Sequence, residues 1–196
     1  MLLNDFQIAE LAFDVGWTGQ DIVTAVCVAL AESGGYTDRV NTAGNHPASR
    51  DRGLWQINDF WHPEVSDAQA FDPVACAMAA HRVWAANGWH AWVTYTSGSY
   101  LQFTHRATIA ARVILPGQFV IARFLRLLYP QLRGVDVAAV QHALGPKYYA
   151  GTVDGVYGPM TTAAVQRWQH DHHLTDDGIV GPQTAQSFKF AFVPGK

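Results

Sequence analysis

The chain has 196 residues, of which 49% are hydrophobic and 15% charged, with a formal net charge of −3. That apolar content excludes wholesale disorder, and the slight acidity excludes the basic footprint of a nucleic-acid binder. The charge is uneven. Residues 1–117 carry six Arg, no Lys and eleven Asp or Glu, whereas residues 118–196 carry seven Lys or Arg and five Asp. Tryptophan is uneven too, with six of the seven lying between Trp17 and Trp92. Both asymmetries point to two units rather than one. Cys27 and Cys76 have no metal-site spacing and sit in apolar helical stretches, which predicts buried thiols, with a single bridge between them left open. The first residues, MLLNDFQIAEL, are acidic where a signal peptide is basic, and no apolar run is long enough for a bilayer span. A soluble chain without an export signal is expected.

In chain order, residues 4–15 read as a short helix with Phe6, Ile8, Leu11 and Phe13 as its apolar positions. Thr18 followed by Asp21 resembles a capping box ahead of QDIVTAVCVALAES, a helix apolar nearly all round and stopped by Gly34-Gly35. Residues 36–52 are polar and read as a loop or short hairpin, with a turn at Gly44-Asn45-His46-Pro47. Asp72 and Pro73 mark a helix start, and that helix runs to Asn87-Gly88. Residues 89–100 read as a Trp- and Tyr-rich loop and 100–114 as a further helix. A break falls near Pro116-Gly117, which gives domains at residues 1–116 and 122–193.

Beyond the break the chain repeats itself. Asp154-Gly-Val-Tyr-Gly-Pro-Met-Thr161 and Asp177-Gly-Ile-Val-Gly-Pro-Gln-Thr184 share D-G-x-x-G-P-x-T at an offset of 23 residues. Each reads as a tight turn followed by a helix with proline in its first turn. With a helix from Val135 to Leu144, three short helices are expected around a small core.

The strongest chemical signal is Glu32, at the end of the buried helix. Apolar surroundings and the negative end of the helix dipole both favour the neutral acid, which suits a general acid. A solvated helix-end carboxylate is the alternative. The stretch Asp51-Arg-Gly-Leu-Trp-Gln-Ile-Asn58 decides between them, because Glu-Ser followed some twenty residues later by D-x-G-x-x-Q-I-N resembles the active-site region of the lysozyme superfamily. The motifs AESGGY, GLWQIN and WHAWVTYTSGSY are also similar to soluble lytic transglycosylases and actinobacterial phage lysins. The resemblance implies a mainly α, lysozyme-like catalytic domain with a small β element. It makes Glu32 the general acid and Asp51 the second carboxylate, and it sets Gln56 and Asn58 in the sugar groove. Arg52 remains open as a partner that would make Asp51 structural. Ser33, Trp92 and Tyr95 are the other expected substrate contacts, with Tyr95 at the family position that reaches the acid. Trp55, Trp61 and Trp89 are further groove candidates for which packing is the simpler role.

Residues 123–190 resemble the three-helix peptidoglycan-binding domain, on Arg123-Phe-Leu-Arg-Leu, Val140-Gln141, Ala164-Val-Gln-Arg-Trp-Gln169 and the two repeats. Asp154, Tyr157 and Asp177 are its candidate wall contacts. His170-Asp-His-His173 departs from the family pattern and reads as a solvated helix end rather than a zinc site. His81 and His90 are read as structural. The resemblances together imply a peptidoglycan-degrading enzyme of the endolysin kind. It would cleave the β-1,4 bond between N-acetylmuramic acid and N-acetylglucosamine and anchor itself to the wall. The alternatives are a lytic transglycosylase giving 1,6-anhydro products, a wall-binding phage structural protein, and a metal-dependent wall peptidase. Peptidoglycan is the expected partner, with no cofactor, metal, nucleic acid or membrane, and a monomer is expected. Synthesis in the host cytoplasm, or carriage on a virion, is the expected route to the wall.

Overall fold

The computed structural model describes residues 1–42, 48–115 and 119–193. The expected turn at Gly44-Asn45-His46-Pro47 and the break at Pro116-Gly117 lie outside the described residues. The chain divides into two compact units, Met1–Ile114 and Leu115–Lys196. The architecture is mainly α, with small sheets in each unit.

The first unit is built around one apolar helix. Helix α1 (Asp5–Asp14) opens on a capping box between Asn4 and Gln7 and buries Phe6, Ile8, Ala9 and Ala12. Helix α2 (Gln20–Ser33) is buried at every residue from Ile22 to Leu30 and ends at Gly34 in the left-handed conformation. The capping box expected at Thr18 does not form. Gly19 takes the N-cap position at φ 51°, with no side-chain cap bond. The Asp21 carboxylate instead accepts from the Trp89 indole Nε1 at 2.8 Å. Here a long-range contact outweighs a local one.

The polar stretch after α2 is a three-stranded antiparallel sheet of two-residue strands, β1 (Val40–Asn41), β2 (Asp51–Arg52) and β3 (Ile57–Asn58), in that order. The β2–β3 turn is fixed by Gly53, at φ 78°, where a Cβ would lie 1.9 Å from the Ala70 carbonyl oxygen. Only glycine fits there. Helix α3 (Asp67–Phe71) follows on a Ser66–Gln69 capping box that the sequence reading did not single out. Asp72 then caps α4 (Pro73–Asn87) by accepting from the Ala75 N–H, as expected. The expected loop at residues 89–100 is mostly short helix. A 3-10 turn over 88–91, α5 (Val93–Thr96) and a 3-10 turn over 99–103 lead into α6 (Thr104–Ile114).

Tryptophans fill the core of this unit. Trp17 and Trp55 are fully buried, and Trp17 stacks on Trp89 with ring centroids 5.4 Å apart. Trp55 Nε1 donates to the Ala25 carbonyl of α2, and Trp92 Nε1 donates to the Trp55 carbonyl. The buried Trp55 and Trp92 indoles, with their N–H groups satisfied, join α2, the β2–β3 turn and the 89–92 segment. Cys27 and Cys76 are buried free thiols, and burial pushes Cys27 up to about 11.

The second unit holds α7 (Val135–Tyr148), α8 (Pro159–Asp171) and α9 (Pro182–Ser187), with β4 (Val120–Ile121) paired in parallel to β5 (Ala191–Phe192). Helix α7 is broken at Gly145, which has a φ of 60°. The sequence repeat becomes a repeated knot. Gln141 on α7 is 1% exposed; its Nε2 donates to Asp154 Oδ1, the Val156 carbonyl and Thr161 Oγ1, and its Oε1 accepts from Gly155 N–H. Gln169 on α8, also 1% exposed, makes the same four bonds to Asp177, Ile179, Thr184 and Gly178. The Asp, Gly and Thr of each repeat are therefore the partners of a buried amide. Gln169→Leu strands the buried Gly178 N–H, at about 2 kcal/mol. Amide exchange in the core of the second unit is expected to speed up by roughly thirtyfold. Amides of the first unit should keep their rates.

Candidate active site

The first unit carries a groove of about 510 Å³ lined by Glu32, Asp51, Gln56, Asn58, Trp61 and Thr94 among others. Glu32 enters from the last turn of α2, Asp51 from β2, Asn58 from β3 and Thr94 from α5. The two carboxylates expected from the motif spacing thus share one groove.

Glu32 is held by one hydrogen bond, from Thr94 Oγ1 to its Oε1 at 2.6 Å. Burial raises its pKa above the ordinary glutamate value, the Thr94 bond works against that, and the negative charge of Asp51 adds to it. Desolvation is the largest of the causes. The helix-end placement read from the sequence matters chiefly because it buries the carboxyl.

Asp51 is oriented by Asn58, directly across the β2–β3 pair, whose Nδ2 donates to Asp51 Oδ1 at 2.8 Å. Arg52, the neighbour left open as its partner, turns to the other side of the strand. It is buried; its Nη1 meets Asp67 at 2.8 Å and its Nε donates to the Ile57 carbonyl. Arg50 also binds Asp67, together with Asp59, so these ion pairs tie β2 to α3.

Asn58 has a second task. Its Oδ1 accepts from the Phe60 and Trp61 backbone N–H groups at 3.0 and 3.3 Å. That fixes a turn carrying Trp61, 69% exposed, against Phe60, with ring centroids 4.9 Å apart. Gln56 lines the groove in a strained conformation, φ 51°, and its Nε2 donates to the Arg39 and Gly53 carbonyls. It holds the groove wall together.

Three expected substrate contacts need correction. Ser33 is buried, donates to the Ala29 carbonyl and accepts from Gly35 N–H, so its hydroxyl closes the helix end. Trp92 borders the groove but is 5% exposed, with its indole N–H spent on Trp55. It packs the wall and offers no open face. Tyr95 stacks on Tyr100 at 4.8 Å and against Trp89 and His90, and it is Thr94, one residue earlier, that reaches Glu32. A four-residue helix in place of the expected loop turns Thr94 toward the acid. The sequence reading missed Thr94 altogether and set Trp61 aside. Its signal was an aromatic in a polar turn directly after Asn58, where no helix face can bury it.

The candidate wall contacts also change meaning. Tyr157 is fully buried and donates its hydroxyl to the Gly178 carbonyl, so it is a core residue that presents no surface. Asp154 and Asp177 are exposed but each accepts from a knot glutamine and from the N–H two residues on. They hold turns. In the His170–His173 run, His172 stacks on Trp168 with centroids 3.9 Å apart.

Comparison with known proteins agrees with this division. Residues 9–94 match the family model of a lysozyme-like domain, and residues 133–187 match that of a peptidoglycan-binding domain. The N-acetylmuramoyl-L-alanine amidase CwlM of Mycobacterium tuberculosis is 41% identical over 70 residues, which are 33% of this chain and 17% of the relative. The amidase CwlL of Bacillus licheniformis is 37% identical over 67 residues, 31% of this chain and 19% of the relative. The chain thus spans less than a fifth of either relative. What the carboxylate groove and the twin amide knots outline is a lysozyme-like domain followed by a peptidoglycan-binding domain.

Proposed function

We propose that the first unit cleaves the β-1,4 bond between N-acetylmuramic acid and N-acetylglucosamine in peptidoglycan, and that the second unit holds it on the wall. The observation that carries this reading is a half-buried Glu32, raised in pKa, facing the same groove as Asp51. A carboxyl group of raised proton affinity beside a second carboxylate can act as the acid while the other supports the developing positive charge. Glu32, kept neutral, donates its proton to the glycosidic oxygen as the bond to the anomeric carbon breaks. Asp51 stabilises the oxocarbenium-like centre or activates the water that traps it. Trp61 offers its open face to a sugar ring at the groove edge. The curated relatives are named for N-acetylmuramoyl-L-alanine cleavage, which supports the same polymer as substrate and concerns a different bond.

Lytic transglycosylation is the second reading, since Glu32 serves as the acid in both and a muramic 6-hydroxyl can trap the cation without any second carboxylate. Asp51 in the groove supports hydrolysis over it. Mass spectrometry of digested walls separates the two. Reducing-end N-acetylmuramic acid is the expected product, and dominant 1,6-anhydro ends would overturn hydrolysis.

Glu32→Gln is expected to lower wall clearing by about a thousandfold, in the range for loss of a general acid, while wall pelleting persists. Equal clearing by both proteins would remove Glu32 from the chemistry. Asp51→Ala is expected to cost about a hundredfold in initial rate. A general acid works only below its pKa, so activity should fall as pH rises through that of Glu32. Thr94→Val removes a bond that favours the carboxylate, and so the alkaline limb should move to higher pH. A limb that stays in place, or moves down, would dissociate Thr94 from the acid.

A further inference from the structure

The two knots of the second unit are alike, but what fills the space beside them is not. Asp154 follows Gln141 by thirteen residues, whereas Asp177 follows Gln169 by eight. The longer connection carries Tyr149, which is 7% exposed. Its hydroxyl accepts from Gln141 Nε2 and donates to the Thr152 carbonyl, both at 3.0 Å. Gly151 lies against it: a Cβ there would be 2.9 Å from Tyr149 Cζ and 2.7 Å from Met160 Sδ. At the first repeat, then, the chain packs its own phenol and thioether beside the knot.

The second repeat has no such filling. A groove of about 610 Å³ opens beside Gln169, with Leu174 and Ile179 in its wall. Gln183 stands in the repeat where Met160 stands in the first. Phe124 closes one side over Gly181, whose Cβ would lie 2.9 Å from Phe124 Cε1. Arg126 lines the groove, is exposed, and makes no ion pair among the described residues. Tyr149 shows what suits the place beside a knot amide: an apolar body tipped with an oxygen. Arg126 adds a demand for negative charge.

Resting on the reading of this unit as a wall-binding domain, we infer that the groove at the second repeat takes the peptide stem of peptidoglycan. A stem carboxylate meets Arg126, and an alanine-like methyl lies on Leu174 and Ile179. The glycan strand has no carboxylate for Arg126 and too little apolar surface for this wall. Charge complementarity makes the choice between the two components of the polymer.

The test uses the full chain carrying Glu32→Gln, so that walls are not digested, and measures binding to whole walls and to walls whose stems an amidase has removed and whose freed lactyl carboxylates have then been amidated. Arg126→Ala is compared with Arg133→Ala, which removes the same charge at the matching position of the first repeat. Binding to whole walls should weaken about tenfold with Arg126→Ala and stay unchanged with Arg133→Ala. Stripping the stems should produce a similar loss. Equal binding to whole and stripped walls, or equal behaviour of the two Arg variants, overturns the peptide groove and leaves wall binding standing. No binding to whole walls overturns both.

Discussion

A carboxyl group at the end of a buried helix is the constraint on which the first unit turns. Helix α2 is apolar from Ile22 to Leu30 and surrounded by α1, α6 and the tryptophan cluster. Its last turn therefore has to emerge into a groove rather than into bulk water. Gly34, left-handed, ends the helix there, and Ser33 closes the orphaned end. Glu32 is the side chain left facing the groove. Its burial supplies the proton affinity, and Thr94 supplies the orientation while holding that affinity in check.

The second carboxylate depends on a smaller device. Asn58 spends one end of its amide on Asp51 and the other on the turn that presents Trp61. A two-residue strand pair is too short to be rigid by ladder bonds alone. The Arg52–Asp67 and Arg50–Asp59 pairs, together with Gly53 pressed on the Ala70 carbonyl, supply the missing stiffness. Both carboxyl groups and the aromatic face are set by neighbouring side chains of the fold. The second unit works in the same manner, with a buried glutamine amide ordering each turn from within.

Local signals carried much of this architecture. The Asp72-Pro73 start of α4 and the repeated turns are read from neighbouring residues, and they are where the sequence puts them. Glu32, Asp51, Gln56 and Asn58 were legible as one groove because their spacing resembles a known active-site region. What failed depended on distant partners. Thr18 does not cap α2, since Trp89 claims Asp21 from 68 residues away. Trp92 looked like an open sugar platform in a polar loop, yet its N–H is bound by Trp55. Composition cannot tell a packed indole from an exposed one. Likewise the repeated Asp residues looked like ligands of the wall, and only the buried Gln141 and Gln169 explain why the repeats need them.

The central claim is that burial in the groove raises the proton affinity of Glu32 and that the neighbouring charge of Asp51 adds to it. It is tested most directly by following the Glu32 carboxyl carbon through a pH titration by NMR, in the wild-type chain and in Asp51→Asn. The account predicts that Glu32 titrates above the ordinary glutamate range, and that Asp51→Asn moves its midpoint down by removing a neighbouring negative charge. A Glu32 that titrates as a solvated glutamate, with a midpoint indifferent to Asp51, would contradict it.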